Sequence, residues 1–313
     1  MSPGSRAEFI GGALPVITHR TRPFSSSQRL PDAVEPVVQH EPEQAGALLA
    51  EFVRDHPRLM VLTGAGVSTD SGIPDYRDGD GAWKRKQPVQ HQVFLDSHEA
   101  RQRYWGRSLI GWPLIRDARP NPAHHHIREL EHRNHCPLVV TQNVDRLHQR
   151  AGSRSVIDLH GRADEVLCMS CGYRCTRDEV HDRCADLNPG FTGLSAGVAP
   201  DGDADLDVEF SGFKPADCPK CAGILKPDVV FFGDFVPRQR VEAALDALRQ
   251  SDGLLVVGSS LMVYSGFRFC RYASEWGKPI ATLNLGRTRA DELADLKLNA
   301  RIGETLEAAL RLI

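Results

Sequence analysis

Short apolar runs recur along the chain, and each stops at a glycine or polar cluster. This alternation constrains the fold more than any single motif. Leu59–Leu62 leads into Gly64-Ala65-Gly66, Pro137–Thr141 into Gln142–Asp145, and Val156–Leu159 into His160-Gly161. Gly253–Val257 leads into Gly258-Ser259-Ser260, and Ile280–Leu283 into Asn284-Leu285-Gly286. Val229–Phe232 is a further run of the same kind. Runs this short and this apolar read as buried strands. Helical patterns lie between them at Gln44–Asp55, Asn121–Arg133, Gln239–Arg249 and Gly266–Trp276, with a last one at Glu304–Leu312. Strands alternating with helices specify a parallel sheet covered on both faces. In such a sheet the carboxyl ends of the strands face one crevice, so clusters far apart in sequence converge there.

The first junction is the richest. Val61–Gly79 reads VLTGAGVSTDSGIPDYRDG. Small residues at Gly64, Ala65 and Gly66 let a backbone turn sharply and approach a ligand. Ser68, Thr69 and Asp70 are placed to cap a helix whose first amides lack partners. A strand that ends in small residues at a helix N-terminus is suited to a phosphate, although a lone Gly-Ala-Gly is more often a plain tight turn. The ordinary dinucleotide fingerprint is not met, because Thr69 stands at its third glycine position. Gly72-Ile73-Pro74-Asp75-Tyr76-Arg77 adds a rigid proline and a close acid and base. Asp75 and Arg77 either pair with each other or meet a ligand. Asn143 and Asp145 either cap the helical stretch that runs to Gln149 or line the crevice. His160 is either a hydrogen-bonded structural residue or a base that takes a proton from a sugar hydroxyl, with Gly161 leaving room beside it. Gly258, Ser259, Ser260 and Asn284 are plain turns or nucleotide contacts on the same reasoning.

Composition changes between Arg162 and Pro227, where four paired cysteines bracket a Gly/Asp-rich stretch, Pro189–Asp207. Cys168-x-x-Cys171 and Cys218-x-x-Cys221 offer four thiolates. That is a closed tetrahedral zinc shell with no position for water, hence a structural metal. The 46 residues between Cys171 and Cys218 exceed the roughly 15–20 of a compact ribbon, so a loop is extruded between the two knuckles. Cys175 and Cys184 are spare ligands, and Cys136 and Cys270 read as buried thiols. A net charge of −3 gives no general pull toward nucleic acid or membrane. No apolar run approaches the roughly 20 residues that span a bilayer. Met1–Glu43 is rich in Pro, Gly and Ser, with four arginines and one acid before Leu30. It reads as a disordered extension or a misassigned start, with only a loose likeness to a transit peptide. The expected plan is an extension over 1–43 and a catalytic domain over 44–313. Within that domain, a Rossmann-like part covers 44–161 and 228–313, a zinc module 162–227, and a helical insertion about 79–122.

Taken in order, GAGVSTDSGIPDYR, TQNVDRLHQRAG, DLHG, the two cysteine pairs, LKPDVVFFGD, VVGSSLMVYSG and LNLG resemble the motif series of the sirtuins, the NAD-dependent protein deacylases. The resemblance covers about Gln44 to the C-terminus. Tyr76, Arg103–Trp105, Gly111–Pro113 and the LVVGSSLMVYSGFRF run look most like the class II branch, which includes the mitochondrial lipoamidase-like sirtuin and bacterial homologues. Asp234 stands where the family usually has Glu.

This resemblance implies NAD across the crevice with its pyrophosphate on Gly64, Ala65 and Gly66. It implies further cofactor contacts from Ser68, Asp75, Tyr76, Arg77, Gln142, Asn143, Asp145, Gly258, Ser259, Ser260, Asn284, Leu285, Gly286 and Ile302. Asn143 and Asp145, with Asp75, line the nicotinamide pocket. The acyl oxygen attacks the ribose carbon as nicotinamide leaves, and His160 then deprotonates a ribose hydroxyl. Products are nicotinamide, O-acyl-ADP-ribose and free lysine. The acylated-lysine substrate is expected as an added strand between Val230, Phe231, Phe232 and Gly233 on one side and Ser260–Tyr264 on the other. Tyr104 and Arg107 share a helical face, and Arg107 can take a carboxylate bidentately. That makes long or acid-tipped acyl groups, such as glutaryl-type chains, the expected preference over acetyl, against a reading in which Tyr104 merely packs and Arg107 is solvated. Rival readings are mono-ADP-ribosyl transfer to protein and a catalytically silent NAD sensor. A bacterial cytoplasm is the expected location, with a mitochondrial matrix as the alternative.

Overall fold

The computed structural model describes residues 39–76, 88–193, 197–198, 204–205 and 209–313. Most of the expected extension and the expected contact Arg77 lie outside the described residues. The strands are β1 (Leu59–Thr63), β2 (Leu138–Thr141), β3 (Val156–Asp158), β4 (Gly161–Cys168), β5 (Arg174–Thr176), β6 (Gly197–Val198), β7 (Ala204–Asp205), β8 (Leu225–Val229), β9 (Gly253–Val257), β10 (Ile280–Leu283) and β11 (Leu296–Leu298). The helices are α1 (Pro42–Asp55), α2 (His91–Asp96), α3 (His98–Asp117), α4 (Pro122–His132), α5 (Leu147–Arg150), α6 (Arg177–Leu187), α7 (Arg238–Gln250), α8 (Tyr264–Glu275) and α9 (Ile302–Leu310).

Six strands form one parallel sheet in the order β11-β10-β9-β1-β2-β3. The chain runs outward from β1 through β2 and β3, then returns to the other side of β1 and runs outward again. The order therefore reverses between β1 and β9, the point where open α/β sheets bind ligands. Register brings the strand ends level. Thr63 pairs with both Thr141 and Val257, and Val257 pairs with Leu283, so the loops after four strands lie side by side.

The two-residue period of a strand explains the apolar runs. Leu59, Val61, Leu255, Val257, Ala281 and Leu283 pack in the layer that holds α1, α4 and α9. Met60, Leu62, Leu254 and Val256 pack on the opposite side against α7 and α8. With both faces buried, β1 and β9 carry no polar alternation at all. Helices α1 and α9 cross closely because Gly46 lacks a side chain; a Cβ there would lie 2.4 Å from that of Ala308.

Three sequence expectations are corrected. The glycine turn does not open an α-helix. It continues as two 3₁₀ turns, Ala65–Val67 and Thr69–Ser71, with no side-chain cap. Gly72 in the left-handed region (φ +82°) and Pro74 end them, since neither continues a helix. Val229–Phe232 is not a strand of the main sheet. Its first residue closes β8, which joins β4 and β5 in a separate antiparallel sheet. Packing starts before residue 44, because His40 N donates to Asn299 O at 2.8 Å and α1 begins at Pro42. Sequence reading also missed β11, an edge strand with Lys297 at its centre. A charge on an edge strand protects it from unwanted pairing but hides it from a search for apolar runs.

Candidate active site

The glycines of the first junction serve a close backbone approach. Gly64 N donates to Val257 O at 3.1 Å and Gly66 N to Gly258 O at 2.8 Å. A Cβ on Gly64 would lie 2.7 Å from Ser259 Cβ, and one on Gly258 would lie 2.5 Å from Val67 N. Gly258 is also left-handed (φ +62°). The loops after β1 and β9 are thus pressed together at the sheet's reversal. Val67 N and Ser68 N are spent on Gly64 O and Ala65 O. Ala65 N is the amide of this turn with no protein acceptor among the described residues, and it sits where a phosphate would meet the loop.

Behind the turn lies a buried polar network. Ser68 Oγ donates to Asp145 Oδ2 at 2.7 Å and accepts from Asn143 Nδ2 at 3.1 Å. Asn143 Nδ2 also reaches Gly64 O at 3.0 Å, so its Oδ1 stays unengaged by any described residue. The second oxygen of Asp145 accepts from Leu147 N at 2.9 Å at the start of α5. Asp145 therefore ties the start of α5, whose N-cap is Arg146, to the Ser68 hydroxyl after β1. Burial raises its carboxyl above the usual range, against the hydrogen bonds from Leu147 and Ser68.

Two histidines that sequence reading passed over complete the network. His124 Nδ1 accepts from Asn121 N at 3.3 Å, which leaves Nε2–H facing Ser68 Oγ at 3.5 Å. His148 Nε2 lies 2.9 Å from Thr63 Oγ1, which donates to Thr141 Oγ1. Both rings are buried. Burial pushes His124 down to about 2, helped by His148 and His125, and His148 down to about 4.

His160 is fixed at both ring nitrogens. Nδ1 lies 3.0 Å from Gln142 O and Nε2 lies 2.7 Å from Ser265 Oγ on the first turn of α8. A carbonyl only accepts, so the proton of the neutral ring is on Nδ1 and the Nε2 lone pair is basic. Burial lowers its pKa to about 4, with Arg268 and Arg240 adding to the effect and the Gln142 carbonyl opposing it. Gln142 is gripped in turn, its Nε2 donating to Ser259 Oγ at 2.7 Å. Leu261, at φ +58°, is bent into the left-handed region just beyond. Such a backbone is strained for a bulky residue.

The other expected contacts fall around this centre. Asp75 and Tyr76 follow the two 3₁₀ turns, at the edge of the described residues. Asn284 N donates to Leu298 O at 3.0 Å, and Gly286 N donates to Asn299 Oδ1 at 2.9 Å. Ile302 opens α9 and packs partly buried on the core. Of the expected peptide segment, Val230 N already pairs with His160 O and Phe232 O with His91 N, each at 2.8 Å. Phe231 lies in an aromatic cluster, 5.2 Å from the ring of Tyr104 and 5.3 Å from that of Phe94. Tyr104 is buried there, as the packing alternative had it. Arg107, one turn on, is half-buried. Arg177, unnoticed in sequence, is buried with its guanidinium 4.6 Å from the Trp105 ring.

The cysteine module fits a metal. The sulfurs of Cys168, Cys171, Cys218 and Cys221 all lie within 4.8 Å of one another. Cys168 and Cys221 are 3.5 Å apart, Cys171 and Cys218 3.7 Å. Four sulfurs at about 2.3 Å from a zinc would be about 3.8 Å apart. The two knuckles repeat one geometry: Gly172 N bonds Cys168 O and Ala222 N bonds Cys218 O, with φ of +72° and +55°. Cys175 and Cys184 stand outside the cluster.

Fold and crevice together define a Rossmann-like α/β protein with an inserted cysteine-ligated module. The family model described as "SIR2: Sir2 family" matches residues 64–265. The "NAD-dependent protein deacetylase" of Xanthomonas campestris pv. campestris (strain 8004) is 58% identical over 264 residues, 84% of this chain and 90% of that protein. The "NAD-dependent protein deacylase Sirt4" of Drosophila melanogaster is 44% identical over 276 residues, 87% of each chain. The solved structure described as "Sir2-p53 peptide-NAD+" superposes with a TM-score of 0.67 at 29% identity, covering 84% of this chain and 96% of that one. The chain belongs to the Sir2 family.

Proposed function

We propose that this protein is an NAD-dependent protein-lysine deacylase that yields nicotinamide, O-acyl-ADP-ribose and free lysine. The observation that carries the reading is a histidine with a basic Nε2 set in the same crevice as the β1–β9 glycine cradle and the Ser68–Asn143–Asp145 network. The names of the relatives and the peptide and NAD of the solved neighbour support it.

NAD, when bound, supplies the ribose carbon that takes the acyl oxygen as nicotinamide leaves. The residues of the chain bind, orient and move a proton. Ala65 N and the glycine edges of Gly64, Gly66 and Gly258 receive the pyrophosphate. Asn143 offers Oδ1 to the amide of nicotinamide, and Asp145 holds that asparagine in place through Ser68. His160 takes a ribose hydroxyl proton at Nε2, with Nδ1–H anchored on Gln142 O. Its low pKa keeps the ring neutral, and so able to accept, at physiological pH. The four cysteines hold one structural zinc, and no step passes through it. Arg107 is proposed to favour acid-tipped acyl chains.

The test is incubation with NAD and acetyl-, glutaryl- and lipoyl-lysine peptides, followed by mass analysis. Acyl-ADP-ribose and free lysine are the expected products. Nicotinamide with ADP-ribosylated protein and no acyl-ADP-ribose would replace the reading with mono-ADP-ribosyl transfer. Bound NAD with no released nicotinamide would make the protein a sensor.

A further inference from the structure

We propose that Ser265 is a positioning residue for the base: its hydroxyl donates to the Nε2 lone pair of His160 and holds it until a ribose hydroxyl takes its place. The inference rests on the deacylase reading for its kinetic consequences, although the contact itself does not.

The tautomer of His160 sets the direction of this bond. Nδ1 faces the Gln142 carbonyl at 3.0 Å and must carry the proton there. Nε2 of the neutral ring then has only a lone pair, so at 2.7 Å it is Ser265 Oγ that donates. Ser265 is itself buried, in the first turn of α8. That turn is seated on the residue that binds the other nitrogen. A Cβ on Gly266 would lie 2.4 Å from Gln142 Oε1, so the missing side chain lets α8 sit close against the residue whose carbonyl anchors the ring. The imidazole is clamped between them in the one orientation that aims its basic nitrogen at α8.

Two consequences follow. A donor to Nε2 stabilises the neutral ring and opposes its protonation. A ribose hydroxyl, also a donor, can replace the serine hydroxyl without leaving the lone pair empty, so the ring needs no reorientation before proton transfer. The charged groups that face the ring are Arg268 on α8 and Arg240 on α7, and both oppose its protonation. Substituting Ser265 leaves them in place.

The experiment is Ser265→Ala and Ser265→Thr, read in two ways. In the NAD-free protein, imidazole nitrogen NMR across a pH titration should show His160 as the Nδ1–H tautomer. Its midpoint should rise by about half to one pH unit in Ser265→Ala, the size of one ordinary hydrogen bond, and return in Ser265→Thr. In turnover, the acid limb of kcat for Ser265→Ala should move up by the same amount. Its plateau kcat should fall several-fold with KM for NAD little changed. Melting temperature and NAD binding report whether each variant folds. An unmoved midpoint in folded Ser265→Ala, or the Nε2–H tautomer in the parent, overturns the proposal. If the midpoint moves while the parent shows no deacylation, the contact stands and the deacylase reading fails.

Discussion

Acid should unfold this protein with an unusually steep and countable proton uptake. His124 and His148 are buried and held neutral, at about 2 and about 4, chiefly by burial. Once exposed by unfolding, each takes a proton near pH 6.5. Their folded pKa values are depressed, so the stability they contribute is whole above pH 6.5 and is lost as pH falls below it. Two protons give a slope of about 2.7 kcal/mol per pH unit. His160, also depressed to about 4 but partly exposed, adds less than a full share. Between pH 8 and pH 5.5 the loss is about 3–4 kcal/mol, against a typical total of about 5–15 kcal/mol. Asp145 and Asp158, whose carboxyls burial raises, take protons in the fold first and soften the loss toward pH 4. The assay is urea unfolding at half-unit steps from pH 8 to pH 5, with the slope read as protons taken up. The parent should take up two to three protons near pH 5.5, and His124→Gln one fewer, whatever its absolute stability. An uptake below one proton, or no change in His124→Gln, would refute the account of the buried network.

Three further outcomes are expected. One zinc per chain should be measured by plasma mass spectrometry, and its chelation should lower the melting temperature; an unchanged melting curve in a metal-free protein rules out the thiolate site. Gly258→Ala should cost about 2–5 kcal/mol, combining the left-handed backbone with a Cβ driven into the Val67 amide. Gly277→Ala, also left-handed (φ +63°) but with open space around it, should cost only about 1 kcal/mol, so equal losses in thermal unfolding would contradict the close-approach argument. Arg107→Met should lower the rate on glutaryl-lysine relative to acetyl-lysine; an unchanged ratio, with acetyl the better substrate, removes Arg107 from the acyl site.

The sheet was legible because its central strands are buried on both faces and so appear as bare apolar runs with abrupt polar ends. The cysteine pairs were legible because thiolate spacing is itself the chemistry. Other features needed coordinates. The turn after Val67 could not be told from a helix start, because Gly72, Pro74 and the press of Gly258 decide it. His124 sits in a triple histidine that reads as a wet helix face, yet it is wholly buried. Asp145 looked like either a cap or a ligand, and no local pattern foretold that its two oxygens bond Leu147 N and Ser68 Oγ. Ser265 gave no signal, since its partner lies 105 residues away. Arg177 gave none either, since a cation caged by Trp105, Tyr104 and Trp112 has no local pattern.

The insertion of the cysteine module has a bearing on how such a chain can change over generations. The module leaves the sheet at Gly161 and returns at Val229, and these two residues are direct partners in the β4–β8 ladder. Between them lies the cysteine module, which also packs on α3, where Arg177 stacks on Trp105 and Gln102 Nε2 donates to Phe213 O at 2.8 Å. Gly161 makes the pairing a tight seam, since a Cβ there would lie 2.0 Å from Asp228 O. A change within the module is therefore felt at α3 as well as at the seam, and His160 stands one residue from that seam.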